Sequence, residues 1–415
     1  MKLLLVIIDA LAFRDLSDKT TPFLHHCIEV NGGGPIHSLF AYRGIEATIF
    51  TGQPISNHQI WLDFKTRTEV ENPRHAGETL FWKAGLSIID SLHWEFPSML
   101  GRETYHKLAF SQDAAQCLIP SSVITSFRPS LFPIQNIDRI RNIPTLLAYL
   151  NKNNLSLAWF HLRSKVEGND AKKVLNYAKN TNRDVLIIKI GILDQVGHCF
   201  GPDSREFITE LKSIDSYIKR LVDSLICNES QLKVIFVSDH GMLSVDQWLN
   251  PGSFLEDFRK WSSLAFIDST IARFWGVTNK GLRILESLQK SIQGSNIFTQ
   301  EDLKSIGLRI NSTEYGEIFF VLPKGSVFFP DYFRVKKAPL GMHGYYQGET
   351  PTADPFLTAY NLRLKKPDSQ GRFDFIDVMP TILSCIGICR QESLLGSNLL
   401  LSKNEELLDG YIGGE

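Results

Sequence analysis

Three aspartates and three histidines in this sequence stand at or near the ends of apolar segments, where their side chains would bind divalent metal ions. The clearest pair is Asp239 and His240, which follow the apolar run of residues 233–237 (KVIFV) after a single serine. The other four are Asp9, Asp194, His198 and His343. Zinc binds aspartate oxygen and histidine nitrogen atoms, and a catalytic zinc ion leaves one position open for water or substrate. These side chains are enough for two metal sites.

The spacing of Asp194 and His198 adds to this hypothesis. The two residues are four positions apart, and on a helix this spacing places both side chains on one face. Taken alone, this pair, the Asp239-His240 pair and His343 each match short patterns that occur often by chance. All of them together, in this order along the chain, are much more specific, and they predict a metal-dependent centre.

Apolar runs predict the strands that must carry these side chains. Residues 3–8, 184–190 and 234–237 are apolar segments typical of central parallel strands that are buried on both faces. Residues 205–226 have apolar side chains at helical spacing and predict a long helix packed on the sheet. This alternation predicts a doubly wound α/β sheet with helices on both faces, in which ligands bind at the carboxyl ends of the strands. The three aspartates stand at such ends.

Shorter patterns predict further elements. Pro22 has the position of the first residue of a helix. Residues 268–270 (DST) are interpreted as a helix N-cap, with a position near the substrate as the alternative. Two further strands are predicted at residues 36–40 and 155–162. Four further helices are predicted at residues 44–50, 143–150, 171–179 and 281–292.

The length of 415 residues suits one large α/β domain with an inserted lobe, or two domains. We expect residues 1–247 and 336–415 to form the metal-binding core. Residues 248–335 are expected to form an inserted smaller lobe. Residues 65–183 match the core pattern poorly, because they mix aromatic residues, prolines and isolated helical patterns, and this segment is expected to be an elaboration of the core.

Composition restricts the class of partner. Hydrophobic residues make up 43% of the chain and charged residues 21%, which is typical of a soluble globular protein. A formal net charge of −1 without a long basic run predicts no nucleic-acid partner, and no segment approaches the length of a membrane span. The six cysteines lack the spacing of a zinc knuckle or a disulfide framework, which favours a cytoplasmic location. Residues 3–8 are too short for a signal peptide and predict a strand.

Five short segments match, in the same order, the motifs of one known family. They are residues 8–9 (ID), 51–58 (TGQPISNH), 194–202 (DQVGHCFGP), 238–242 (SDHGM) and 341–344 (GMHG). The order resembles the alkaline phosphatase superfamily, and most closely its nucleotide pyrophosphatase/phosphodiesterase-like branch. The resemblance covers most of the chain and implies an alkaline-phosphatase-like α/β fold.

The resemblance also implies two divalent metal ions, with zinc favoured and manganese as the alternative. One ion would bind Asp194, His198 and His343. The other would bind Asp9, Asp239 and His240. Two such ions stabilise the attacking and leaving oxygens of a displacement at phosphorus. His58 matches a family position that we interpret as structural.

The nucleophile is the main departure from the family pattern. The family has a threonine or serine, bridging both metals, ten residues before the glycine of the Thr-Gly segment, and here that position is Tyr42. Three interpretations remain open: Tyr42 is the nucleophile, metal-bound hydroxide attacks directly, or the site is non-catalytic. Tyr42 ranks first by position, since Thr48 would be buried inside a helix. Arg43, beside it, is expected to bind a phosphate oxygen.

The expected function is two-metal-dependent hydrolysis of a phosphoric ester, with phosphodiesters favoured. One alternative is a phosphomonoesterase or phosphonate hydrolase that uses the same site. The other alternative is a degenerate, non-catalytic protein that binds a phosphorylated ligand. The expected substrate is a small-molecule or glycan-linked phosphate ester.

Overall fold

The computed structural model describes residues 1–38, 40–41, 43–66, 126–130, 134–227, 231–252, 258–310, 313–334, 336–346, 353–389 and 391–401. In chain order its strands are β1 (Leu3–Ile8), β2 (Gly33–Pro35), β3 (Phe64–Thr66), β4 (Phe127–Pro129), β5 (Arg139–Ile140), β6 (Ile143–Pro144), β7 (Leu157–Leu162), β8 (Val185–Ile190), β9 (Lys233–Val237), β10 (Leu243–Ser244), β11 (Gln247–Leu249), β12 (Leu264–Ile267), β13 (Ile271–Trp275), β14 (Asn296–Thr299), β15 (Ile318–Val321), β16 (Ser326–Phe328), β17 (Gly341–Met342) and β18 (Phe356–Tyr360). Its helices are α1 (Pro22–Asn31), α2 (Ile45–Thr51), α3 (Ile55–His58), α4 (Leu146–Lys152), α5 (Asn169–Asn180), α6 (Ile192–Phe200), α7 (Arg205–Ile226), α8 (Asn279–Ser291), α9 (Gln300–Ser305) and α10 (Val378–Cys385).

Six of the strands form the central sheet, in the order β2-β18-β9-β1-β8-β7. Strands β9, β1, β8 and β7 are parallel to one another. Strand β18 is antiparallel to both of its neighbours, β9 and β2. Because β1 pairs with β8 on one side and β9 on the other, the segments that follow these three strands leave the same edge of the sheet side by side. The mixed α/β sheet confirms the predicted fold class.

The apolar run of β1 is explained by burial on both faces of the sheet. Leu3, Leu5 and Ile7 face a core that includes apolar side chains of α2, α4 and α10. The alternate residues of β1 face a second core, formed with α1, α5 and α7. In a strand successive side chains point to opposite faces, so helices on both sides require a continuous apolar sequence.

Helix α7 covers one face of the sheet and has the bounds that the periodic pattern predicts. It begins after Ser204, whose Oγ accepts a hydrogen bond from the Phe207 N–H at 3.1 Å. A serine at this position satisfies one of the N–H groups that lack a partner inside the helix. The predicted helices at residues 44–50, 171–179 and 281–292 are present as α2, α5 and α8. Among the described residues, no helix is both long enough and apolar enough to cross a membrane.

A second, antiparallel sheet lies within the segment predicted to be an inserted lobe, with strand order β12-β13-β15-β14. Ile271, Phe319 and Val321 of this sheet join the apolar cluster that contains Leu3 and Ile7, so the two sheets share one apolar core. The fully buried side chain of Arg273 ties it to neighbouring segments. Its guanidinium group donates to the carbonyl oxygens of Phe64 at 2.9 Å and Tyr315 at 3.0 Å.

Three local predictions are wrong, and each is overridden by tertiary pairing. The strand predicted at residues 36–40 is replaced by Gly33–Pro35, and Ile36 forms only an isolated bridge. A Cβ atom at Gly33 would lie 2.6 Å from the Leu357 carbonyl oxygen, so the close approach to β18 requires this glycine. The helix predicted from residue 143 begins at Leu146, because β6 pairs with β5. Residues 268–270 form the turn between β12 and β13 and cap no helix.

We expect the substitution Ile218→Ala in α7 to lower the free energy of unfolding by about 2–5 kcal/mol, because it leaves a cavity between the helix and the sheet. Ile218 is fully buried, whereas Ile208, in the same helix, is 37% exposed. Ile208→Ala is therefore the matched control, with an expected change of about 0.5 kcal/mol or less. Urea denaturation of both variants measures the difference, and equal losses would contradict the described packing of α7.

Candidate metal centre

The predicted metal ligands lie at the carboxyl edge of the central sheet. Asp9 directly follows β1, and Asp239 follows β9 after Ser238. The N–H of Ser238 donates to the Phe356 carbonyl, and its Oγ accepts from the Phe356 N–H at 2.8 Å, so the end of β9 is tied to β18. Asp194 lies in α6, which begins soon after β8 ends. The register of β8, β1 and β9 therefore brings three carboxylates to one edge.

Asp194 and His198 lie on one face of α6, which confirms their predicted helical spacing. The distance from Asp194 Oδ1 to His198 Nε2 is 3.2 Å. His198 Nδ1 is 2.8 Å from the Gly341 carbonyl oxygen, to which it donates. A hydrogen bond of this kind fixes the tautomer and leaves Nε2 free to bind a metal. A Cβ atom at Gly341 would lie 2.4 Å from the Gly197 carbonyl oxygen, so only glycine permits this approach.

The same strand, β17, brings His343 to the site. His343 Nε2 is 3.5 Å from Asp194 Oδ1, and both atoms are buried without a hydrogen-bond partner. Buried polar atoms without partners are rare in native proteins, and a bound ion is one explanation of such atoms. The ligand atoms of Asp194, His198 and His343 all lie within 4.8 Å of one another. This group, which we call the Asp194 site, therefore fits a divalent metal ion.

Asp9, Asp194 and His240 form a second cluster of possible ligands, which shares Asp194 with the first. The ligand atoms of Asp9, Asp194 and His240 also lie within 4.8 Å of one another. His240 Nε2 is 3.2 Å from Asp9 Oδ1, and His240 Nδ1 donates to the Gly241 carbonyl oxygen at 3.1 Å. The His240 and His343 rings are stacked, with centroids 3.7 Å apart. The two groups thus form one continuous centre.

Asp239 has different partners from the other predicted ligands. Its Oδ2 is 3.2 Å from Lys189 Nζ, and its Oδ1 accepts hydrogen bonds from the N–H groups of Ala10 and His240. Lys189 also contacts Asp9 and Glu46. The set implied for the second metal, Asp9, Asp239 and His240, therefore contains an ammonium group and does not fit a metal ion in the expected form. Lys189 and Glu46 were missed from sequence, although a lysine in the apolar strand VLIIKI was a usable signal.

The protonation states of Asp194, Asp9 and His343 suit metal binding, whereas neighbouring carboxylates outweigh burial and raise the pKa of His240 to about 9. Burial opposes ionisation of Asp194, but the neighbouring His198 outweighs it and lowers the pKa of the carboxyl group. The pKa of Asp9 is also lowered, since Lys189 and His240 outweigh burial. Burial and the neighbouring His240 hold the pKa of His343 well below its usual range, so this imidazole is neutral. Metal ligands must be deprotonated, and the ionised carboxylates and neutral His343 meet that condition.

A small pocket adjoins the centre. Its lining includes Arg43, Asp268, Ser269 and His343. Arg43 Nε is 3.3 Å from Asp63 Oδ2, and Asp63 and Asp268 outweigh burial to raise the pKa of the guanidinium group above its usual value. Burial raises the pKa of Asp268 to about 6. Arg43, the predicted phosphate-binding residue, therefore lies beside the centre. The turn at residues 268–270, which was interpreted as a helix cap, also lies there. Tyr42 lies outside the described residues.

His58 and Thr48 contact each other in the interior of the protein. His58 Nδ1 accepts a hydrogen bond from the Ile60 N–H at 3.1 Å, and its Nε2 lies 2.9 Å from Thr48 Oγ1. Both residues are buried, as the sequence indicated for Thr48. These contacts support the structural role predicted for His58.

The centre combines aspartate and histidine side chains at a sheet edge, beside a pocket with an arginine. The chain matches the family model of the type I phosphodiesterase / nucleotide pyrophosphatase family over residues 3–345. It belongs to this family.

Members of the phosphodiesterase family are also found among individual relatives. An uncharacterized pyrophosphatase/phosphodiesterase of Schizosaccharomyces pombe is 28% identical over 167 residues, which are 37% of this chain and 34% of the relative. The bis(5′-adenosyl)-triphosphatase of Mus musculus is 26% identical over 199 residues, which are 47% of this chain and 42% of the relative. The chain thus spans well under half the length of these curated relatives.

Solved structures of the same family share the fold. Human ectonucleotide pyrophosphatase/phosphodiesterase 5 superposes with a TM-score of 0.64 at 15% identity, covering 97% of this chain and all of that chain. The murine protein, solved as an inactive variant in complex with AMP, gives a TM-score of 0.65 at 13% identity, covering 98% of this chain and 99% of that one. At such low identity the likeness supports the fold alone.

We expect the free energy of unfolding to decrease as the pH falls, and we expect part of this decrease to depend on His58. Burial lowers the pKa of His58 from 6.5 to about 3, so the folded state keeps the ring neutral while the unfolded state takes up a proton below pH 6.5. The contribution of the neutral ring is complete above that pH and is lost as the pH falls towards about 3. Thermal unfolding of His58→Gln against the wild type should give a stability gap that narrows through this window. A gap that is constant with pH would contradict a buried, neutral His58.

Proposed function

We propose that this protein is a metal-dependent phosphoric ester hydrolase and that phosphodiesters are its preferred substrates. The single observation that carries the proposal is the pair of buried atoms without a hydrogen-bond partner, Asp194 Oδ1 and His343 Nε2, which face each other at 3.5 Å. They lie at the carboxyl edge of the sheet in a member of the phosphodiesterase family. Membership of that family supports the reaction class.

The Asp194 site would hold the metal through Asp194, His198 and His343. A divalent ion bound there supplies Lewis-acid stabilisation of charge on the phosphoryl oxygens. Zinc is proposed because imidazole and carboxylate ligands suit it, and manganese is the alternative because carboxylates also suit that ion. His198 is held by the Gly341 carbonyl oxygen, so its Nε2 is oriented before any ion arrives.

Arg43 is proposed to bind the phosphoryl group. It lines the pocket that also contains His343, and its Nε is oriented by Asp63 at 3.3 Å. The guanidinium group has five N–H donors in a fixed plane, so those not directed at Asp63 can bind phosphate oxygens. A phosphodiester carries one negative charge, which one arginine matches, and this balance favours a diester over a monoester.

The proposed substrate class is a small phosphoric ester, of which nucleotide-linked diesters are the first to test. The murine relative in the solved complex binds AMP, and the curated murine relative is named for the hydrolysis of a dinucleoside triphosphate. A glycan-linked phosphate ester is the second substrate class within the same proposal.

Tyr42 is proposed as the nucleophile. Its position in the motif supports this assignment, as does the fact that Ala41 and Arg43, on either side of it in sequence, both line the pocket with His343. A phenolic oxygen is a competent covalent nucleophile when a neighbouring group lowers its pKa.

We expect the purified protein with added zinc or manganese to hydrolyse bis-(4-nitrophenyl) phosphate faster than 4-nitrophenyl phosphate. His343→Ala should abolish measurable turnover, because it removes a ligand of the Asp194 site. His26→Ala is the matched control, since His26 is exposed in α1, and it should retain wild-type turnover. Release of nitrophenolate is followed by absorbance.

Faster turnover of the monoester would favour the alternative of a phosphomonoesterase. Absence of turnover on either ester and on a dinucleoside polyphosphate, in a protein that holds metal, would favour the non-catalytic binding protein. The substitution at the usual threonine or serine position is the observation that keeps this second candidate open.

For the nucleophile, we expect Tyr42→Phe to reduce kcat by at least about 1,000-fold without reducing the metal content, since removal of a covalent nucleophile has effects of this size. The readouts are steady-state kinetics and metal analysis of the same sample. Tyr346→Phe is the control, because Tyr346 packs against Phe40 and Phe298. A Tyr42→Phe protein with kcat within a few-fold of wild type would instead point to attack by metal-bound hydroxide.

A further inference from the structure

Lys189 lies within the centre, and a centre with two metal ions offers no explanation for a lysine at this position. It lies in β8, in register with Ile7 of β1 and His161 of β7, and it is a charged residue in an otherwise apolar strand. Its side chain is only 13% exposed. A buried ammonium group is unfavourable unless it is paired with opposite charge, so its partners indicate its role.

The partners of Lys189 are three carboxylates. Its Nζ lies 2.9 Å from Glu46 Oε1, 3.2 Å from Asp239 Oδ2 and 3.4 Å from Asp9 Oδ2. A lysine ammonium has three N–H donors and no acceptor. Three carboxylates therefore use all of its donors, and no N–H remains for a substrate phosphate. Lys189 therefore offsets part of the negative charge of the centre, and its donors are directed at these carboxylates.

Two of these carboxylates belong to the ligand set implied for the second metal. Asp9 and Asp239 each direct Oδ2 at Lys189. Asp9 Oδ1 faces His240, and Asp239 Oδ1 accepts the N–H groups of Ala10 and His240. Every oxygen of this pair therefore has a partner, and Lys189 contacts one oxygen of each carboxylate.

A second departure from the family pattern is visible in the sequence alone. The threonine or serine that would bridge two metals is replaced by Tyr42. A hydroxyl that bridges two metal ions requires both ions, so the replacement of the bridging residue is consistent with a centre that binds one ion. The bridging residue is replaced, and a lysine contacts the carboxylates implied for the second metal. Both changes disfavour the binding of a second ion.

We propose that the Lys189 ammonium takes the place of the second metal ion, so that this protein binds one divalent ion per chain, at the Asp194 site. A fixed ammonium supplies one positive charge between Asp9 and Asp239 without an exchangeable ligand position. The inference rests on the proposed function, because it concerns the same centre, but metal content is measured without substrate.

The first test is the metal content of the wild-type protein. Apo protein is dialysed against excess zinc, freed of unbound ion, and analysed by native mass spectrometry and by elemental analysis against protein concentration. The expected result is one zinc ion per chain. Two ions per chain would overturn the inference and leave the proposed function standing. No bound ion would overturn both, whereas one ion without turnover of any ester would refute only the proposed function.

The second test removes the ammonium group. In Lys189→Gln the carboxylates of Asp9, Glu46 and Asp239 lose their cation, and we expect the variant to bind a second zinc ion under the same conditions. Lys65→Gln is the matched control, since the Lys65 ammonium is also largely buried and pairs with Glu314 at 2.9 Å, and its zinc content should stay at one. A folded Lys189→Gln protein that still binds one ion would contradict the exclusion of a second metal by Lys189. If this variant does not fold, the wild-type zinc content alone decides.

Discussion

The concentration of negative charge at one edge of the central sheet is the constraint on which the rest of the structure depends. Strands β8, β1 and β9 are adjacent and parallel, so the aspartates that follow them come together at their carboxyl ends. Glu46 adds a further carboxylate within 2.9 Å of Lys189. Buried carboxylates repel one another and lose hydration, so a cluster of this kind is stable only with compensating cations. A metal ion, Lys189 and Arg43 can supply this positive charge.

The scaffold must hold this cluster against its own repulsion, and it does so by burying the strands on both faces. The residues of β1 are fully buried between two apolar cores. Short side-chain contacts then fix two of the imidazoles, through the His198 Nδ1 bond to Gly341 and the His240 Nδ1 bond to Gly241. A preorganised centre results, in which the ligands need little rearrangement to bind an ion.

Local patterns predicted the features that depend on local physics. The amphipathic period of residues 205–226 gave the bounds of α7, and the continuous apolar run gave β1, since burial on one or two faces leaves a direct trace in sequence. Lys189 was not assigned to the site, and residues 268–270 were favoured as a helix cap, because the contacts that define their roles come from partners more than 30 positions away. For Lys189 those partners are Glu46, Asp9 and Asp239. A charge in a core strand is visible in sequence, but its counter-charges are identified only when the strands are in register.

The bond from His198 to Gly341 has a consequence for how the pocket and the metal influence each other. Met342, His343 and Gly344 line the pocket, and they follow directly the residue that His198 holds. The pocket wall and the imidazole that would bind the ion are thus joined by a direct hydrogen bond. An ion that stabilises this arrangement of His198 would also stabilise the pocket wall and so raise the affinity of the pocket for its ligand. By thermodynamic reciprocity, a ligand in the pocket would then raise the affinity for the ion by the same factor.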